Sequence, residues 1–302
     1  MKKKFEFKFL FICFYNLHLL NINFIITIKM DKIEIEELIL QLAEAHKENP
    51  MKFIGVLEKL LENPPASAKE KGDLFLSVGL ILYDSLFFQL ASASWEHALE
   101  YFIQAKAAAG ESACYTNLGV LCCNLGDLNK AIEYHKKALE ITKEIEDGAG
   151  EARCYINLGN SYDDSGNYEK AIEYHKKAME IMKYTGDLAG EAKCCGNLGV
   201  SYDNFGDYDK AIEYHEKSLE IARDMGDKIR ESIGYGNLGN TYDNIGHHNK
   251  AIKFYEKALE ISRDIGYEVG EYTCYTSLSI AYDNLGDSKK AEEYREKALS
   301  MT

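Results

Sequence analysis

The residues Asn157-Leu158-Gly159, Tyr162, Gly166 and Lys170-Ala171-Ile172-Glu173-Tyr174-His175 return forty positions later as Asn197-Leu198-Gly199, Tyr202, Gly206 and Lys210-Ala211-Ile212-Glu213-Tyr214-His215. Over 151–190 and 191–230, twenty-two of forty positions are identical. The same unit occupies 111–150 and 231–270, and a shortened copy fills 271–302. A fixed period of this length marks a stacked array of supersecondary units. Each unit touches only its neighbours, so such a chain offers an extended surface and no central catalytic cavity.

All three prolines (Pro50, Pro64, Pro65) precede residue 66, which leaves the repeats free to be helical throughout. The net charge of −14 argues against a nucleic-acid surface, which needs a basic stripe to neutralise phosphates. Cys114, Cys154, Cys194 and Cys274 recur at one repeat position. Packed helices bring such positions to roughly 10 Å. A disulfide needs Cα atoms about 4.4–6.8 Å apart. They read as small packing residues of a reducing, cytosolic compartment.

Residues 1–30 open with Lys2-Lys3-Lys4 and an apolar run broken by Asn16, His18, Asn21 and Asn23. No small-residue cleavage site follows, and polar groups at a bilayer centre are costly. This stretch reads as translation from an upstream start, with a hydrophobic anchor or signal as the alternative. Residues 31–66 read as an N-terminal helical pair, with the second helix opening at Pro50. Residues 67–110 read as a degenerate repeat with a longer internal loop. Each regular unit then reads as helix A (about 111–124), a break at Gly126-Asp127, and helix B (about 128–146), with Gly148 or Gly150 as the end signal. Gly119, Gly159, Gly199 and Gly239 fall inside helix A, where glycine costs roughly 0.5–1 kcal/mol against alanine. Their recurrence predicts a partner passing too close for a Cβ, with Ala131, Ala138, Ala171 and Ala178 as candidates.

This pattern resembles the tetratricopeptide repeat, carried by Leu158, Gly159, Tyr162, Ala171 and Ala178. The resemblance covers roughly 67–302 and is strongest in 111–270. It implies an all-α solenoid of stacked helix-turn-helix repeats wound as a right-handed superhelix. The units would be 111–150, 151–190, 191–230, 231–270 and 271–302, after the degenerate copy at 67–110. The chain departs from the usual repeat of about 34 residues with a closing proline. It has forty residues and no such proline, and His175 stands where the family prefers an aromatic. The Asn-Leu-Gly-Asn and Gly-Asp-x-x-Gly-Glu segments are similar to the Partner-of-Inscuteable group of G-protein signalling modulators and related multi-repeat scaffolds. In the last unit Ser277, Ser279 and Glu292 replace Asn, Gly and Ile. That is the polarity expected of an end repeat facing water.

Positions i, i+4, i+7 and i+11 of a helix share a face. In successive A helices that face carries Asn117; Arg153, Asn157 and Asn160; Lys193 and Asn197; and Asn237 and Asn240. The resemblance places it on the concave side. Asparagine amides donate to and accept from a peptide backbone, and Arg153 and Lys193 suit acidic side chains of a ligand. The competing reading has these asparagines bonding one another between repeats. Asp163, Asp203, Asp243 and Asp283 form a second ladder near the A-helix C-termini, where an acid opposes the helix dipole by about 0.3–1 kcal/mol. They read as contacts for basic ligand groups or as inter-repeat hydrogen bonds.

His135, His175 and His215 recur too far apart to share a metal and read as packing residues. Gly234-x-Gly236-x-x-Gly239 matches a dinucleotide fingerprint only in letters, because no strand precedes it. No catalytic set stands apart from the repeated surface. The expectation is therefore a non-enzymatic scaffold for a protein or peptide ligand, without cofactor or metal. Nucleic acid is not expected as a partner, nor a membrane unless residues 1–30 anchor the chain. The alternatives are a regulatory portion of a larger signalling protein and a carboxylate-clamp co-chaperone. The clamp looks for a lysine where this chain has Thr116, Ile156, Gly196 and Gly236.

Overall fold

The computed structural model describes residues 32–60 and 67–301. The readings of residues 1–30 and of Pro64-Pro65 lie outside the described residues. The chain divides into two compact units between Gly150 and Glu151. Among the described residues every regular element is an α-helix. The first unit holds α1 (Lys32–His46), α2 (Pro50–Leu60), α3 (Ala68–Asp84), α4 (Phe88–Ala105), α5 (Ala108–Asn124) and α6 (Leu128–Glu144). The second holds α7 (Gly148–Asp164, its first turn in the first unit), α8 (Tyr168–Thr185), α9 (Leu188–Phe205) and α10 (Tyr208–Asp224). It continues through α11 (Lys228–Asn244), α12 (His248–Asp264), α13 (Glu268–Leu285) and α14 (Ser288–Leu299). From α3 to α6, and again from α8 to α14, each helix packs on the next, and α11 also meets α9 and α13.

The turns keep a strict twenty-residue beat. Left-handed residues occur at Leu86, Lys106, Gly126, Glu146, Gly166, Gly186, Gly206, Gly226, Gly246, Gly266 and Gly286. In seven of these turns the next residue caps the following helix with its side chain. The side chains of Asp127, Asp147, Asn167, Asp187, Asp207, Asp227 and Asp287 each accept from the backbone N–H three residues on. That spares an otherwise orphaned donor.

Three sequence readings are corrected by this beat. Helix A begins at Ala108, three residues earlier than expected, because the cap sits directly after the left-handed residue. Gly148 and Gly150 belong to the first turn of α7, and the stop before them is Glu146. The 67–110 segment has no longer loop: Ser85, Leu86 and Phe87 connect α3 to α4 within the same beat. The Gly signal is absent at Leu86, Lys106 and Glu146, which hides it from the sequence.

The partner of the mid-helix glycines is a ring, not an alanine. A Cβ built on Gly119, Gly159 or Gly199 would lie 2.3–2.4 Å from the imidazole of His135, His175 or His215. On Gly239 it would lie 2.4 Å from Tyr255, and on Gly79 2.3 Å from Trp95. The separation is sixteen residues each time. Ala131, Ala138, Ala171 and Ala178 are fully buried but serve the core elsewhere. In the last pair the ring is replaced by Arg295, which turns out to Asp283 and Glu292, and there Ser279 takes the glycine's place. A second device joins each later pair: Tyr162/Tyr174, Tyr202/Tyr214, Tyr242/Phe254 and Tyr282/Tyr294 stack at 5.4–5.6 Å. Lys170, Lys210, Lys250 and Lys290 cover the first ring of each.

In the first unit Glu58 of α2 anchors that helix to its neighbours. Its carboxylate meets His97 Nε2 at 2.6 Å, Lys71 Nζ at 3.5 Å and the Tyr101 hydroxyl. The start of α3 is a reciprocal cap between Ser67 and Glu70.

Gly199→Ala is expected to destabilise by about 1–3 kcal/mol through overpacking. Gly199→Ala with His215→Ala recovers part of that loss, which urea midpoints of the three proteins would measure. Leu86→Gly, Lys106→Gly and Glu146→Gly each relieve a left-handed side chain at an exposed site. Each should raise stability by about 0.5–1 kcal/mol, read as a higher melting temperature. Gly226→Ala should lower it.

Candidate functional site

In the second unit the shared face of α7, α9, α11 and α13 carries the polar stripe. Arg153, Asn160, Lys193 and Asn240 are exposed, and Asn157, Asn197 and Asn237 are half-buried. In the first unit Asn117, also half-buried, holds the same position on α5. Two of these residues are brought together: Asn197 Nδ2 donates to Asn160 Oδ1 at 3.2 Å. Asn240 Oδ1 accepts from the Tyr255 hydroxyl at 2.8 Å.

Three rungs of the aspartate ladder, Asp163, Asp203 and Asp243, bind one repeat to the next. Asp163 accepts from the Ser201 hydroxyl at 2.6 Å and lies 3.3 Å from His175 Nε2. Asp203 accepts from the Thr241 hydroxyl at 2.9 Å and from Asn244 Nδ2 at 3.1 Å. Asp243 accepts from Asn284 Nδ2 at 3.0 Å and meets His248 Nδ1 at 2.6 Å. Asp283 pairs with Arg295 at 2.7 Å. These donors offset the unfavourable dipole at the helix end.

Between α9, α11 and α13 the face opens into a cavity of about 360 Å³. Asn237, Asn240, Asp203 and Asp243 line it, with Val200 and Ile280 as apolar walls and His215 and Tyr255 from the second helices. None of its lining residues is a lysine or arginine. The sequence stripe missed Ile280, His215 and Tyr255. The signal for His215 and Tyr255 was the ring slot sixteen residues after a mid-helix glycine, and Ile280 holds the repeat position of Asn240. Among the described residues no group of three His, Cys, Asp or Glu side chains could hold a metal ion. Nor is any helix among them long and apolar enough to cross a membrane.

Tetratricopeptide repeat profiles match residues 111–183 and 188–264, and again 272–302. The chain belongs to the tetratricopeptide repeat family. Several solved structures superpose on it. RapI in its apo form is 18% identical with a TM-score of 0.67, over 83% of this chain and 89% of that one. BtubC from P. vanneervenii is 22% identical with a TM-score of 0.61, over 71% and 90%. A signal transduction ATPase with numerous domains and a tetratricopeptide repeat sensor, from Pyrococcus horikoshii, is 23% identical with a TM-score of 0.65. That match covers 88% of this chain and 41% of the ATPase. At these identities the likeness concerns the fold: an all-α solenoid of stacked helix pairs. No curated protein gives a significant match. The resemblance to the Partner-of-Inscuteable group finds no support in these matches.

Charge and burial shape the groups beneath this family's repeated face. Burial pushes the Tyr255 hydroxyl well above its ordinary pKa, and the charges of Asp243 and Asp203 push it the same way. Burial also pushes the imidazoles of His135 and His215 down to about 4. Both rings are 1% exposed, and their Nδ1 atoms lack a hydrogen-bond partner among the described residues.

The folded protein therefore keeps both rings neutral where the unfolded chain protonates them. Their contribution is complete above about pH 6.5 and disappears as pH falls toward 4, by up to roughly 3 kcal/mol each. His135→Phe with His215→Phe should shrink the drop in urea midpoint between pH 7 and pH 4.5. An unchanged drop would place the acid sensitivity in other groups.

Proposed function

We propose that the chain is a protein-interaction scaffold that holds an extended peptide segment along the polar face of α7, α9, α11 and α13. The observation that carries this reading is the open cavity on that face, where Asn237 and Asn240 stand beside Val200 and Ile280. Amides pair with a peptide backbone, and small apolar walls take alternate side chains. Asn157 and Asn197 extend the amide row, and Arg153 and Lys193 supply cations for acidic ligand residues. The Asn160–Asn197 bond shows one way the row is kept spaced while its other donors and acceptors stay available. Asn117 would play the same part in the first unit.

In this reading residues 31–66 form an N-terminal pair, 67–110 a degenerate repeat and 111–302 five regular units. A cytosolic setting goes with the cysteine usage. Cys114, Cys194 and Cys274 are buried thiols that burial pushes up to about 12, 12 and 11, as befits packing residues.

The test is selection of displayed random peptides on the full chain, followed by affinity measurement on Arg153→Glu with Lys193→Glu. Selected peptides should lose about tenfold or more in affinity on the double variant. Equal binding would remove Arg153 and Lys193 as anchors. A selection that yields no binding peptide would overturn the groove reading itself.

A further inference from the structure

The cavity between α9, α11 and α13 has a chemistry opposite to that of Arg153 and Lys193. Two carboxylates, Asp203 and Asp243, border it, and no lysine or arginine lines it. Each carboxylate already accepts two hydrogen bonds: Asp203 from Thr241 and Asn244, and Asp243 from Asn284 and His248. An ionised carboxylate has about four acceptor sites, so both retain capacity. Asn237 and Asn240 add polar side-chain amides to the same wall, with Asn240 Oδ1 held by the Tyr255 hydroxyl. Val200 and Ile280 are 41% and 53% exposed, so apolar surface stands open beside the charges. The buried His215 ring borders the same space, its Nδ1 edge packed on Gly199.

We infer that this cavity receives an arginine side chain of the bound peptide. The inference rests on the groove reading above. The guanidinium carries five N–H donors in a planar fork, which matches a pair of carboxylates beside polar amides better than the compact ammonium of lysine does. Its methylene stem packs along Val200 and Ile280 while the head reaches the acids. A glutamate or a free carboxylate would meet two like charges with no cation in the lining to offset them. A ligand that also used Arg153 and Lys193 would carry its acidic residue at one end of the row and its arginine at the other. That would give the peptide a direction along the face.

The probes are three fluorescent nonapeptide pools with Arg, Glu or Leu fixed at the centre. The remaining positions are drawn from Ala, Ser, Leu, Asn and Gly. Binding to the full chain is followed by fluorescence anisotropy. The Arg pool should bind at least about tenfold more tightly than the other two, as expected for a desolvated charge pair. Asp203→Asn with Asp243→Asn should abolish that preference. Ile280→Lys should abolish it too, by placing an ammonium in the cavity without touching either carboxylate's hydrogen bonds. Position 280 is exposed, so this variant keeps its fold, which a thermal melt confirms.

Pools that bind equally, or best with Glu, would leave the groove reading standing and overturn the arginine site. A preference for Arg that survived both variants would overturn this cavity as its seat. Failure of all three pools to bind would overturn both readings.

Discussion

A flat ring laid on a helix with no side chain beneath it is the contact on which every repeat but the last depends. His135, His175, His215, Tyr255 and Trp95 all occupy one slot, sixteen residues after Gly119, Gly159, Gly199, Gly239 and Gly79. The glycine costs helix stability locally. The close approach of the two helices offsets that cost by burying the ring and drawing the small core residues, Ala131, Ala171 and Ala211, out of water. The final pair shows the dependence from the other side. Arg295 leaves the slot, and Ser279 is then tolerated on the facing helix.

Much of this was legible in the sequence, for a definite reason. Packing between neighbouring repeats is the same problem solved again, so identical residues return at a fixed interval and helix pairs follow from them. Mid-helix glycine announced a close approach. It did not name what approached, because the ring lies in a different helix and its identity varies among imidazole, phenol and indole. The twenty-residue beat was half hidden for a similar reason. At Leu86, Lys106 and Glu146 the neighbouring helices hold a left-handed turn without glycine's help, so no letter marks the turn. The Glu58 anchor was invisible, since it joins residues drawn from α2, α3 and α4.

The two polar ladders divide their work by depth. The aspartates lie nearer the helix ends and are held by hydroxyls and amides of the following repeat, which fixes the step between pairs. The asparagines stand further along the same face. Of these, Asn197 with Asn160 and Asn240 with Tyr255 are engaged within the protein. A sequence shows both ladders as equal columns of repeated letters. Geometry shows what the columns hide: the acids are bound across repeats at 2.6–3.1 Å, and Asp203 and Asp243 also border the open space beside Asn237 and Asn240.

The even beat of the turns bears on how such a chain can change its length. From α3 onward every connection places a left-handed residue at the same point of the beat, so a block of forty residues begins and ends with the same backbone turn. Duplication or loss of whole blocks leaves each ring above its glycine and each acid beside its hydroxyl. A block of twenty would exchange the two kinds of helix and bring ring against ring. Growth by recombination is thus confined to full pairs, in keeping with the twenty-two of forty positions that 151–190 and 191–230 share.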